Sequence, residues 1–193
     1  MQFRLNEIQQ QVVDTLVKKY KDNKQPGRSD KAYTNGVSDT ECKILESVFA
    51  DLLPNQTISH AMVLVEFAPW VIHTDYTNNN DKRPANAILI PFKDEQSHTL
   101  IFNEECTVEG INLIEETFPD IDNHIGKEIY DQHLSHCRWE TVRKVSIDEI
   151  YQWQRGTGVI WDRKKLHSSD NFIKNGVSVK IALTMFTEHV ADQ

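Results

Sequence analysis

Two observations predict a mainly β chain in which N-terminal helices support a barrel of short strands. The apolar pattern changes its period from helical to alternating near residue 61, and about eight short apolar or alternating runs, parted by polar turns, follow it. Strands do not alternate with long helices, so a barrel is favoured over a parallel βαβ sheet. At 193 residues, with 39% hydrophobic and 26% charged residues, four Trp and eight Phe, the chain has the balance of a globular protein able to bury one substantial core. One domain over 1–193 is expected, with helical support over 1–60 and a barrel over 61–187.

In order, Leu5, Ile8, Val12, Leu16 and Tyr20 recur at three and four, and Asn6 is placed to cap them, so a helix is expected over 7–22. Lys18, Lys19, Lys21, Lys24, Arg28 and Lys31 surround the breaker Gln25-Pro26-Gly27 and read as a solvated helix end. Ser38 and Glu41 have capping-box spacing and open a second helix through about Leu53, with Leu45, Val48, Phe49 and Leu52 as its buried stripe. Strands are then expected at 61–67, 70–74, 85–92 and 99–103, and again at 139–145, 158–161 and 177–186. An insertion over the sheet is expected at about 104–150, with helix over 108–118.

The formal charge of −8 disfavours nucleic acid and anionic membrane as partners. Residues 1–7 lack the apolar core of a signal peptide and no apolar run approaches membrane-spanning length, so a cytoplasmic protein is expected. Three cysteines, Cys42, Cys106 and Cys137, show no CxxC spacing, and reduced thiols are the default.

Chemistry concentrates first in Trp70-Val71-Ile72-His73-Thr74-Asp75-Tyr76. In an extended run His73 and Asp75 point to one face, where an imidazole and a carboxylate can share an ion. His167, after the turn Gly156-Thr157-Gly158 and the run to Trp161, is the candidate third ligand. Two His and one carboxylate leave open positions on a metal. In 177–184, Lys180 alternates with apolar residues and shares a face with Ser178, Ala182 and Thr184; an inward ammonium needs an anionic partner.

This order of parts, with His73-Thr74-Asp75, the run from His98 to Phe102, 156–167 and 177–186 carrying it, resembles the Fe(II)- and 2-oxoglutarate-dependent dioxygenases, built on the double-stranded β-helix, a jelly-roll or cupin-like barrel. The resemblance implies His73, Asp75 and His167 as iron ligands, and Lys180 as the cation for the distal carboxylate of 2-oxoglutarate, with Lys174 and Arg163 as runners-up. It further implies Thr99, Tyr76 and Asn86 as pocket residues, and an O2-dependent hydroxylation of a small molecule or protein side chain that releases succinate and CO2. The carboxylate at Asp75 disfavours halogenation.

Two other readings belong to different classes. A cupin-like metal enzyme without 2-oxoglutarate would need the metal ligands but not Lys180, and a non-enzymatic ligand-binding barrel would need neither. His124, His133, His136 and Cys137 offer nitrogen and sulfur suited to zinc, against a polar insertion with incidental histidines. His60 and His98 read as isolated hydrogen-bonding groups. Arg163-Lys164-Lys165 reads as a charged turn or a contact for an anionic substrate. Segments 25–37 and 104–150 are the expected substrate covers.

Overall fold

A computed structural model of the chain describes residues 1–23, 31–76, 83–107, 121 and 125–190. Helix α1 (Glu7–Tyr20) begins where Asn6 accepts the Gln9 backbone N–H and Gln9 answers to the Asn6 N–H, a reciprocal cap. The buried stripe is Gln9, Val13, Leu16 and Val17, turned from the expected one, so Ile8 is 64% exposed. Gln9 tolerates burial because its side chain is bonded at both ends, to the Asn6 N–H and to the Val48 carbonyl. Helix α2 (Asp39–Val48) has the expected Ser38–Glu41 box, and a 3-10 turn, Ala50–Leu52, follows it.

Strands β1 (Gln2–Arg4), β2 (Ala32–Gly36), β3 (Gln56–Glu66), β4 (Pro84–Pro91), β5 (His98–Glu105), β6 (Ile147–Gln152), β7 (Thr157–Asp162), β8 (Lys165–Ser169) and β9 (Lys180–His189) form two sheets. Their orders are β1-β7-β4-β9-β3-β2 and β6-β5-β8, with antiparallel pairing throughout. Period-two alternation sorts the side chains of the larger sheet. Val63, Val65, Ile88, Ile90, Ile160, Leu183 and Met185 meet Val13, Leu16, Leu45 and Phe49 of the helical layer. Each fully buried Leu or Phe there contributes about 1.5–3 kcal/mol. Ala87, Leu89, Val159, Trp161, Ala182 and Phe186 face inward and meet Ile101, Tyr151 and Trp153.

The outer face of the smaller sheet, Leu100, Phe102 and Leu166, is covered by Ile72, Leu134, Val142 and Val145. Short helical turns carry part of this cover: Lys127–Ile129, the π-helical Tyr130–Leu134, and Trp139–Val142. The strand expected at 139–145 is therefore a helical turn; Trp139, Val142 and Val145 recur at three and pack into one cluster. The strand expected at 70–74 is reduced to one isolated bridge, His73 to His167. The short β1, β2 and β6 lacked a recognisable alternation in the sequence. The helix expected over 108–118, with His124, Lys24, Arg28 and the Gln25-Pro26-Gly27 breaker, lies outside the described residues. Residues 32–36, counted among the expected substrate covers, are instead an edge strand on β3. The three cysteines are free thiols and buried. No described helix is long and apolar enough to cross a membrane.

Candidate active site

Between the two sheets lies a cavity of about 310 Å³, with His73, Asp75, His167, Thr99 and Lys180 among the residues lining it. His73 and His167 are fixed by a reciprocal pair of backbone bonds, His73 N–H to the His167 carbonyl at 2.9 Å and His167 N–H to the His73 carbonyl at 2.8 Å. Their rings stand 4.2 Å apart between centroids. The second nitrogen is handled alike in both: Nδ1 of His73 lies 2.8 Å from the Val71 carbonyl, and Nδ1 of His167 lies 3.3 Å from the Lys165 carbonyl. A proton on each Nδ1 is thus directed to backbone, and each Nε2 is turned to the carboxylate. His73 Nε2 is 4.0 Å from Asp75 Oδ1, and His167 Nε2 is 3.2 Å from Asp75 Oδ2. All three residues offer a ligand atom within 4.8 Å of the others, and the set could hold a metal ion.

Electrostatics act on the three donors in different directions. Burial, then the neighbouring His167, pulls His73 down to about 4, so it is neutral at pH 7. Burial pushes Asp75 up, but the charge and hydrogen bond of His167, with His73 and Arg163, bring it down to about 2. Burial lowers His167, and the Asp75 carboxylate more than offsets that, so its net shift is upward.

Arg163 holds this loop in place. It is buried, donates from Nε and Nη2 to the Asp75 carbonyl at 3.1 and 2.9 Å, and lies over the Phe186 ring. Neither a solvated turn nor an anion contact describes it. Thr74 Oγ1 adds a bond to the Arg163 carbonyl at 2.8 Å and accepts the Tyr76 N–H at 3.1 Å. Lys165 instead pairs with Asp148 at the surface.

Lys180 points inward and is fully buried, over the Trp153 and Phe172 rings. Its cross-strand partner is Glu66, and Nζ lies 3.2 Å from Glu66 Oε2. That partner was missed in the sequence, because the register of β3 on β9 sets it. Among the described residues Lys180 Nζ makes no directed hydrogen bond, and the same holds for Trp161 Nε1 and Thr184 Oγ1, which line the same cavity. Thr99 Oγ1 accepts the Trp153 indole N–H at 2.9 Å, which leaves its own proton free to turn into the cavity.

The remaining sequence candidates lie elsewhere. Asn86 is on the helix-side parity of β4, bonded through Nδ2 to Gln56, and does not line the cavity. Tyr76 is held by its backbone beside Thr74 and is likewise not among the lining residues. Strand β9 starts at Lys180, and Ser178 before it is exposed rather than inward. Lys174 donates to the Asp131 carbonyl at the surface. The alternative of a zinc cluster at His133, His136 and Cys137 does not assemble among the described residues: His136 and Cys137 are in mutual contact, with His136 Nε2 against the Trp70 carbonyl, while His133 packs on His98. His60 stacks on Phe186.

No protein-family model matches the chain. No curated protein matches it by sequence. Solved structures do match. The non-heme α-ketoglutarate-dependent carbocyclase SnoK from nogalamycin biosynthesis aligns with a TM-score of 0.58 at 11% identity, over 98% of this chain and 79% of that one. HygX from Streptomyces hygroscopicus, with nickel and 2-oxoglutarate bound, gives 0.57 at 8% identity, over 99% and 83%. A Pseudomonas putida prolyl-4-hydroxylase gives 0.54 at 10% identity, over 98% and 91%. Likeness at such identities is a likeness of fold, and the chain accordingly has the double-stranded β-helix fold of these enzymes.

Proposed function

We propose that the chain is a cytoplasmic, single-domain Fe(II)- and 2-oxoglutarate-dependent oxygenase, hydroxylating a small molecule or a protein side chain. The observation that carries this reading is the content of one cavity: a two-histidine, one-carboxylate donor set, together with a buried ammonium and polar atoms on Trp161 and Thr184 that have no partner among the described residues. Such donors suit iron(II) and leave positions open for a chelating oxo acid and O2. Iron with 2-oxoglutarate, when bound, would supply the oxidation, with one oxygen atom of O2 going to the succinate formed beside CO2 and the other to a C–H bond of the substrate.

The chain's own residues supply placement. His73, Asp75 and His167 present ligand atoms already turned to a common point by backbone bonds to their other nitrogens and by Arg163. Lys180 attracts the distal carboxylate, and the Thr99 and Thr184 hydroxyls and the Trp161 indole N–H offer hydrogen bonds along the cosubstrate. Trp153, Trp161, Leu89 and Phe186 are apolar walls that exclude water. The Glu66 carboxylate beside Lys180 favours the second reading, a metal enzyme of cupin type that uses no oxo acid.

Thermal unfolding with redox-inert Mn(II) discriminates them. 2-Oxoglutarate should raise Tm only in the presence of metal, and not at all in His167→Ala. If the metal stabilises the protein and 2-oxoglutarate adds nothing, the cupin-like reading replaces this one.

A further inference from the structure

We propose that His98, His133 and Asp170 bind a divalent transition metal of the zinc type, forming a second metal centre separate from the His73, Asp75 and His167 set. Their ligand atoms lie within 4.8 Å of one another. The three come from distant parts of the chain and are tied together by backbone. The Asp170 N–H donates to the His98 carbonyl at 3.0 Å, and the next residue, Asn171, donates to the His133 carbonyl at 2.7 Å. His133 sits in the π-helical turn Tyr130–Leu134, a rare geometry that often marks a site.

The side chains are prepared for a cation. Asp170 is fully buried and His133 is 5% exposed. His133 Nδ1 is buried with no hydrogen-bond partner among the described residues, an open lone pair or proton that packing alone does not explain. His98 Nδ1 lies 3.0 Å from Asp170 Oδ2, while Ser97 Oγ and Asn175 Nδ2 hold the same carboxylate at 2.8 and 3.2 Å. An entering metal takes the place of the proton between His98 and Asp170, and that proton passes to Nε2 of the same imidazole. Burial, then the neighbouring His98, keeps His133 below its ordinary pKa and so neutral. The Lys180 charge that reaches Asp170 is balanced by Glu66.

Two imidazoles and a carboxylate, with a water in a fourth position, match the ligands that zinc accepts. Thr99 and Ser169, the sequence neighbours of His98 and Asp170, line the central cavity. Alternation places this cluster behind the cavity wall, where a metal would clasp β5, the end of β8 and the π-turn. Metal binding there does not depend on the proposed oxygenase activity.

The test is zinc stoichiometry by elemental analysis of apo protein reloaded with Zn(II) and desalted, with Tm followed in parallel. The double variant His73→Ala/His167→Ala removes the first set; it should still bind one zinc per chain and gain stability from it. Adding His133→Gln, or the more exposed His98→Gln, should abolish both effects while leaving the apo Tm and circular dichroism close to those of the double variant. If the double variant retains no zinc, or if its zinc survives both substitutions, the second centre is refuted. If either added substitution prevents folding, the other decides by the same reading. A fall from two zinc ions per chain in wild type to one in His73→Ala/His167→Ala is the expected result.

Discussion

Glu66 and Lys180 stand directly opposite each other on β3 and β9, and their carboxylate and ammonium meet at 3.2 Å inside the central cavity. Both are buried, and Ser169 Oγ supplies the Glu66 carboxylate with a further bond at 3.3 Å. An incoming dicarboxylate therefore meets a cation whose charge is already balanced.

Removing the Glu66 charge while keeping its shape should tighten anion binding. Glu66→Gln is expected to lower the Kd for 2-oxoglutarate by about tenfold, as the attraction of Lys180 is no longer shared. Calorimetric titration of the Mn(II) protein checks this. An unchanged or weaker Kd would mean that Lys180 does not receive the cosubstrate.

Lys180→Met alone strands a buried carboxylate and should destabilise the fold by about 3–5 kcal/mol. Glu66→Gln/Lys180→Met removes both charges and should recover most of that loss, yet bind 2-oxoglutarate more weakly than wild type. Urea unfolding of the three variants gives the comparison; additive losses would show that the two side chains are not energetically coupled.

The Arg163 side chain donates to the Asp75 carbonyl from both Nε and Nη2. Arg163→Lys cannot make both bonds at once, so metal affinity should fall by about 10–100-fold with the fold retained. Competition with a chromogenic chelator measures it, and wild-type affinity would show that Asp75 is held by other contacts.

Glu41 joins the two helices: it accepts Lys19 Nζ at 2.8 Å, Tyr20 OH at 2.6 Å and Ser38 Oγ at 2.6 Å. Burial pushes its pKa up, but the Lys19, Ser38 and Tyr20 bonds prevail and hold it at about 2 against an ordinary value of 4.5. A depressed carboxyl contributes stability that is present above its unfolded pKa and lost as pH falls toward its folded one. Glu41→Gln should therefore cost about 1–2 kcal/mol at pH 7, after allowance for partial solvent screening. The difference from wild type should shrink between about pH 4.5 and 2. Unfolding curves at a series of pH values check it, and a pH-independent difference would assign the effect to packing.

Much of the site was legible because it rests on local patterns. Lys180 alternates with Ala182 and Thr184 along one strand, so parity turned it inward, whereas His73 and Asp75, two apart in the sequence, are brought to one side by the His73–His167 bridge and the Arg163 bonds to the Asp75 carbonyl. Asn86 failed on the same parity: the inward residues of β4 are Ala87 and Leu89, which the sequence could not distinguish from Ile88 and Ile90 because both sets are apolar. Glu66 was hidden because its partner is fixed by the register of β3 on β9, a long-range property. The cluster at His98, His133 and Asp170 was hidden for the same reason, since no two of its members are close in sequence. Ile8 and Gln9 exchanged roles in α1 because capping, which buried the glutamine, outweighed the apolar count.

The most direct measurement is the anaerobic visible spectrum of the Fe(II) protein before and after 2-oxoglutarate. Chelation of 2-oxoglutarate by iron held on His73, Asp75 and His167 should produce a new charge-transfer band, absent in His167→Ala and needing more 2-oxoglutarate in Glu66→Gln/Lys180→Met. Iron binding without any band at saturating 2-oxoglutarate would contradict the oxygenase reading.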